Sequence, residues 1–323
     1  MKKVTVLFLA LLLTLGLFTG CVSNKQQTSK EEEQQDEKMH IVATEFAPYD
    51  FAKNVAGEQA EVTMLLAPGE EAHSFEPTPK DIIKIEECDL FVYTGGESDA
   101  WVDDILDSLD ADITVVRLMD CVEVYEEETV DGMEEEFEGQ EDSESEEVEY
   151  DEHVWTAPAN AILITEALGE AFAKADSAHA DAYEANTASY VDDLKELDQA
   201  FWDVVNHAKR KTLIFGDRFP LRYFVEEYGL SYYAAFPGCA SDTEPNAKTV
   251  AFLIDKVKEE DIPVVFHVEL SNQNMVNTIC EETGAVNRQF YACHNITKKQ
   301  FKEGYGYLDM MWQNVSVLEE ALN

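Results

Sequence analysis

The stretch from Ser177 to Ala208, SAHADAYEANTASYVDDLKELDQAFWDVVNHA, constrains the fold more than any other part of the chain. It contains neither Gly nor Pro. Its larger apolar residues Tyr183, Tyr190, Leu194, Leu197, Phe201 and Val204 recur at steps of seven, four, three, four and three. That spacing predicts a single apolar stripe along a helix. At 1.5 Å per residue the helix would be about 48 Å long, more than the width of a small domain. A rod of that length is expected to join two bodies, so the stretch reads as a strut.

The flanks of the strut repeat one plan. Before it, strands are expected at His40 to Thr44, Ala60 to Leu66, Leu90 to Tyr93 and Thr114 to Leu118, with helices at Tyr49 to Val55, Lys80 to Glu87 and Trp101 to Leu109. After it, strands are expected at Thr212 to Phe215, Ser231 to Ala235, Val264 to Val268 and Asn287 to Tyr291. Helices are expected at Leu221 to Tyr228, Ala247 to Glu259, Asn272 to Thr283 and Leu308 to Leu322. Both halves place a Glu-Pro pair, Glu76-Pro77 and Glu244-Pro245, in the loop before the second helix, where Pro suits a helix start. Strands alternating with helices at this length imply a parallel sheet covered on both faces. The predicted fold is therefore α/β: an N-terminal lobe over 39–176, a linker helix over 177–208 and a C-terminal lobe over 209–323. Each lobe is a parallel-rich sheet flanked by helices.

Residues 1–20 are two lysines, an apolar run from Val4 to Phe18 and small residues, the pattern of an export signal too short to span a membrane comfortably. Phe18-Thr19-Gly20-Cys21 resembles the bacterial lipobox, with Phe18 in place of the usual Leu, so Cys21 is the expected lipidation site. Residues 21–38 are too polar to bury a core and read as a tether.

The formal charge of −44 excludes a nucleic-acid partner, whose phosphates would be repelled, and suits cations. Residues 123–152 hold seventeen acidic side chains and no Lys, Arg or His, yet removing them still leaves −27. The five cysteines beyond Cys21 show no CxxC spacing and read as free thiols, with a Cys239 to Cys293 bridge conceivable in an exported protein.

Ligand sites of parallel sheets form at the carboxyl ends of the strands. The polar residues there are His73 and His153 in the first half, with Asp217, Arg218, Glu269 and His294 in the second. Two histidines from one lobe, with a histidine and a carboxylate from the other, suit a tetrahedral, borderline-soft ion such as Zn²⁺. His267 reads as a core histidine of a strand; His40, His179 and His207 read as structural.

The chain from about Met39 to Leu322 resembles the metal-binding lipoproteins of bacterial ABC importers (cluster A-I), which include zinc-binding and manganese-binding receptors. The likeness is carried by PGEEAHSFEPTPKDI, DEHVWTAPANA, Tyr223-Phe224 with Tyr228-Gly229-Leu230, and YLDMMWQNVSVLEEAL. The resemblance implies that His73 and His153 are metal ligands and that His294 takes the fourth position, where relatives have a carboxylate. The third position falls on Arg218, which cannot bind a cation. The adjacent Asp217 is then the expected substitute, with Arg218 holding a neighbouring carboxylate. Glu269 is expected to support the ligands, and His267 is the alternative ligand if Asp217 points away. The acidic insertion stands where many zinc receptors carry a His-rich loop and is expected to concentrate cations beside His153.

The expected function is an extracytoplasmic receptor, lipid-anchored and monomeric, that passes Zn²⁺ to an ABC permease and has no catalytic role. The alternatives are a Mn²⁺ or Fe²⁺ receptor of the same fold and a secreted zinc hydrolase. Against the last, the sequence has no HExxH motif.

Overall fold

The computed structural model describes residues 38–109, 113–133, 149–239 and 246–323. The expected signal, Cys21, nearly all of the tether, the middle of the acidic insertion and the Glu244-Pro245 pair lie outside them. In the first half, strands β1 (Met39–Ala43), β2 (Ala60–Met64), β3 (Leu90–Tyr93) and β4 (Thr114–Arg117) alternate with helices α1 (Phe46–Ala56), α2 (Pro79–Glu86) and α3 (Ala100–Ser108). Two long helices follow, α4 (Pro158–Ala175) and α5 (Ala180–His207). The second half contains β5 (Thr212–Phe219), β6 (Ser231–Pro237), β7 (Val264–His267) and β8 (Val286–Gln289). Its helices are α6 (Arg222–Tyr228), α7 (Ala247–Glu259), α8 (Asn274–Thr283), α9 (Lys298–Glu303) and α10 (Tyr307–Leu322).

Each half builds one four-stranded parallel sheet with the same strand order, β2-β1-β3-β4 and β6-β5-β7-β8. Every residue of β3 (Leu-Phe-Val-Tyr) and of β7 (Val-Val-Phe-His) is buried, as strands covered on both faces require. In both sheets the order reverses beside the first strand, so the crevice for a ligand opens at the loops after β1 and β3 and after β5 and β7.

Helix α5 is 28 residues long and connects the halves through its aromatic residues. Tyr183 meets Phe172 of α4 with ring centroids 5.7 Å apart, and Tyr190 meets Phe51 of α1 at 6.3 Å. Further along, Phe201 packs on Phe224 and Tyr228 of α6 at 5.0 and 5.5 Å. The stripe closes on Val205, which is buried, rather than on the expected Val204, which is partly exposed. The terminal helix α10 crosses back: the Tyr307 amide donates to Asp50 Oδ2 at 2.9 Å, and its ring sits 4.9 Å from Phe51. One hydrophobic cluster consequently runs from Ile41 and Phe51 through α5 to Phe215 and Phe290, and Lys38–Asn323 packs as one unit.

The structure departs from expectation mainly at β5, which continues four residues past Phe215 and shifts register against β6 between Phe215 and Arg218. Asp217 and Arg218 therefore belong to a strand, not to the loop beyond it. Gly216 makes the passage possible, because a Cβ there would lie 2.9 Å from the Val276 Cα of α8. The root of the acidic insertion is also docked across the halves: the Tyr125 ring packs at a tilt 5.2 Å from Tyr223, and Glu128 lies 3.3 Å from Arg222. The described cysteines are all free thiols, so Cys239 and Cys293 form no bridge.

Candidate metal centre

His73 lies in the loop between β2 and α2. Its Nδ1 is 2.9 Å from Ser98 Oγ and 3.3 Å from Glu152 Oε1. Glu152 is buried, accepts the Ser98 amide at 3.0 Å and bonds the Ser98 hydroxyl. Burial by itself would raise this carboxyl, but the His73 bond and the charges of His153 and His73 hold it below its usual range. Gly96, at φ 82, leaves room for it: a Cβ there would come within 2.6 Å of Glu152 Oε2.

His153 is fully buried. Its backbone amide and its Nδ1 both meet Asp151 Oδ1 at 2.8 Å. A carboxylate on Nδ1 directs the Nε2 lone pair outward, the orientation that metal-binding imidazoles require. Nε2 is buried with no hydrogen-bond partner. Burial would depress this imidazole, but Asp151, Glu152 and Glu127 raise it. Tyr223 of α6 donates to the Asp151 carbonyl at 2.6 Å, so the second half holds the loop that carries His153.

His294 follows β8 on a sharply turned segment. Cys293 before it has φ 62, a left-handed conformation that costs a non-glycine residue about 1–3 kcal/mol and is found most often at functional sites. Both oxygens of Glu269 hold this segment, accepting the Ala292 and His294 amides at 2.8 and 2.9 Å. Burial, with the neighbouring His153, His73 and Arg218 charges, pushes the imidazole well below its ordinary pKa and keeps it neutral. Its Nε2 is likewise buried and unpartnered.

The three imidazoles meet edge to face. Ring centroids are 5.5 Å apart for His73 and His153, 5.0 Å for His73 and His294, and 4.3 Å for His153 and His294. Two buried, unpartnered ring nitrogens in one cluster are rare in a folded chain unless something else satisfies them. The donor set fits a zinc-like ion.

The other expected residues lie elsewhere. Asp217 does not join the donor group: its Oδ1 accepts the Arg218 amide at 2.9 Å and its Oδ2 accepts the Val268 amide at 3.2 Å. The cause is the extended β5, which places Asp217 where it serves backbone donors. His267 shares its Nδ1 with Asn287 Oδ1 at 2.8 Å and also stands apart. Arg218 forms a two-pronged pair with Glu71 at 3.2 and 3.0 Å. Glu71 is two residues from His73, so the arginine braces the loop that carries it.

Several residues at the site were not anticipated. Asp151 and Glu152 stand beside His153 in the DEHVW motif and were the nearest available signal. Cys239 joins His73, Glu152 and His153 in a group whose potential donor atoms lie within 4.8 Å of one another. Burial, followed by Glu152, Glu127 and Asp151, pushes its thiol far up. Asn295 donates to the Ala67 and Glu70 carbonyls at 3.0 and 2.6 Å, tying the His294 segment to the His73 loop.

Fold and site together define a class: a two-lobed α/β protein with the fold of solute-binding receptors and an imidazole cluster between its halves. The family model described as "ZnuA: Zinc-uptake complex component A periplasmic" matches residues 41–321, and the chain belongs to that family. The zinc-binding lipoprotein AdcA of Streptococcus pneumoniae strain R6 is 30% identical over 322 residues, covering 99% of this chain and 61% of AdcA. This chain thus spans about three fifths of that relative's length. The high-affinity zinc uptake system protein ZnuA of Bacillus subtilis is 29% identical over 288 residues, 88% of each chain. Among solved structures, the Zn(II)-bound ZnuA-like domain of S. pneumoniae AdcA superposes with TM-score 0.73 at 28% identity, covering 88% of this chain and 99% of that one. The metal-dependent lipoprotein YcdH of B. subtilis gives 0.74 at 27% identity, covering 88% and 100%.

Proposed function

We propose that the chain is an extracytoplasmic receptor that captures Zn²⁺ through His73, His153 and His294 and delivers it to an ABC permease. The observation that carries this reading is the pair of buried Nε2 atoms, on His153 and His294, that have no partner within the protein. Two further observations support it: the Asp151 carboxylate orients one imidazole, and Glu269 orients the loop of another. The names of the relatives, zinc-binding lipoprotein and zinc uptake system protein, point the same way. Three imidazole donors favour zinc over manganese, which prefers oxygen donors. With both nitrogens buried, enclosure of the ion is the chemistry the site supports, and we assign it no catalytic step. Lipidation at Cys21, a single-copy state and attachment to the membrane through the tether belong to the same proposal.

Elemental analysis of the purified protein, with Zn²⁺ titration of the wild type and of H73A, H153A and H294A, tests it. One zinc per chain in the wild type and sharply weakened capture in each variant are expected. Unchanged capture in all three would overturn the reading.

A further inference from the structure

Cys239 follows Pro237, the last residue of β6, by two positions, and the segment between them is pressed against the metal centre. A Cβ on Gly238 would lie 3.0 Å from His153 Cε1, 3.2 Å from His153 Nδ1 and 3.1 Å from the Phe219 carbonyl. Glycine is therefore the residue that lets the backbone close on the His153 ring and bring the next side chain to it. The Cys239 amide is anchored at 3.2 Å on Glu127 Oε1 at the root of the acidic insertion. Its Sγ then stands with donor atoms of His73, Glu152 and His153, all within 4.8 Å of one another. Donors on one tetrahedral zinc are about 3.3–3.8 Å apart, given bonds near 2.0–2.3 Å, so contraction by roughly 1 Å would bring this group onto a shared ion.

We propose that Cys239 is a ligand of the metal site, supplying a thiolate beside His73 and His153 in place of the carboxylate that Asp217 does not provide. This rests on the receptor reading above. In the binding step the Sγ–H bond breaks, the proton passes to solvent, and the sulfur lone pair forms the bond to the ion; no oxidant or reductant takes part. A sulfur donor makes the site selective for thiophilic divalent ions, Zn²⁺ and Cd²⁺, over Mn²⁺. Glu152 stays with His73 and Ser98 as a positioning residue.

Cobalt distinguishes this proposal from the reading beneath it. The whole protein loaded with Co²⁺ is expected to show the visible bands of a tetrahedral ion together with a near-ultraviolet thiolate-to-cobalt charge-transfer band. In C239S the visible bands persist and the charge-transfer band is lost. Tetrahedral bands without charge transfer in the wild type, or a charge-transfer band that survives in C239S, would overturn the cysteine ligand and leave the receptor standing. No cobalt uptake at all would overturn both. As a second measurement, Cd²⁺ in competition with Mn²⁺ should lose about tenfold or more of its advantage in C239A. Equal preference in wild type and C239A would also overturn the proposal.

Discussion

Asp151 spans two residues of chain to hold the His153 amide and Nδ1 on one oxygen. Replacing it with Asn keeps the size but weakens the anchor that sets the tautomer. D151N should lower zinc affinity about 10–100-fold while the fold persists, read by competition with a chelating dye. Asp50 supports a second prediction. Burial raises its carboxyl from 3.8 to about 6, against the opposing bonds from Tyr307 and Tyr190. Because the folded value lies above the unfolded one, its stabilising contribution is complete below about pH 4 and is lost as pH rises through about 6. The shift corresponds to about 3 kcal/mol. Relative to D50N, the wild type should therefore lose up to that amount between about pH 4 and pH 7 in urea unfolding. A constant difference across that range would contradict the assignment.

Among the elements, α5 does the joining. Phe201 is fully buried where the helix meets α6, with Phe224 and Tyr228 on its ring. F201A removes a large core side chain and should cost about 3–5 kcal/mol. Because a single cluster runs through both halves, calorimetry should still show one transition at a lower temperature. Two separated transitions would mean that the halves unfold independently. At the same scale, the root of the acidic insertion acts as a strap: Glu127 reaches Cys239, Glu128 reaches Arg222, and Tyr125 rests on Tyr223.

For the whole molecule, the shared core and the crossing of α5 and α10 limit how far the halves can tilt. Crystals of metal-free and zinc-bound protein should differ by less than about 10° in the angle between the sheets, with loop shifts in place of a wide hinge. The net charge of −44 acts at this scale too. Deleting residues 134–148 removes part of the acidic insertion but none of its docked root. The deletion should slow zinc capture at low salt, leave equilibrium affinity near the wild-type value, and lose its effect as ionic strength rises. An unchanged capture rate would rule out a role in concentrating cations.

Periodicity and punctuation in the sequence determined the elements. The Gly-free and Pro-free stripe predicts α5 to within a few residues, and the alternation of strand and helix on either side predicts two parallel sheets. The sequence also singles out His73 and His294 beyond strand ends and His153 after the acidic insertion, and the structure brings their ring centroids within 5.5 Å of one another. The packing partners of these residues were not legible in the sequence. Asp217 reads as a ligand until β5 is seen to run on beneath α8, where the missing side chain of Gly216 lets it pass and leaves the carboxylate beside the Arg218 and Val268 amides. Cys239 reads as an inert thiol until Gly238 brings it against His153, a residue 86 positions earlier in the chain. Local pattern specifies which surfaces must be buried. Which donor atoms come to share one point depends on long-range packing, and that only the folded chain decides.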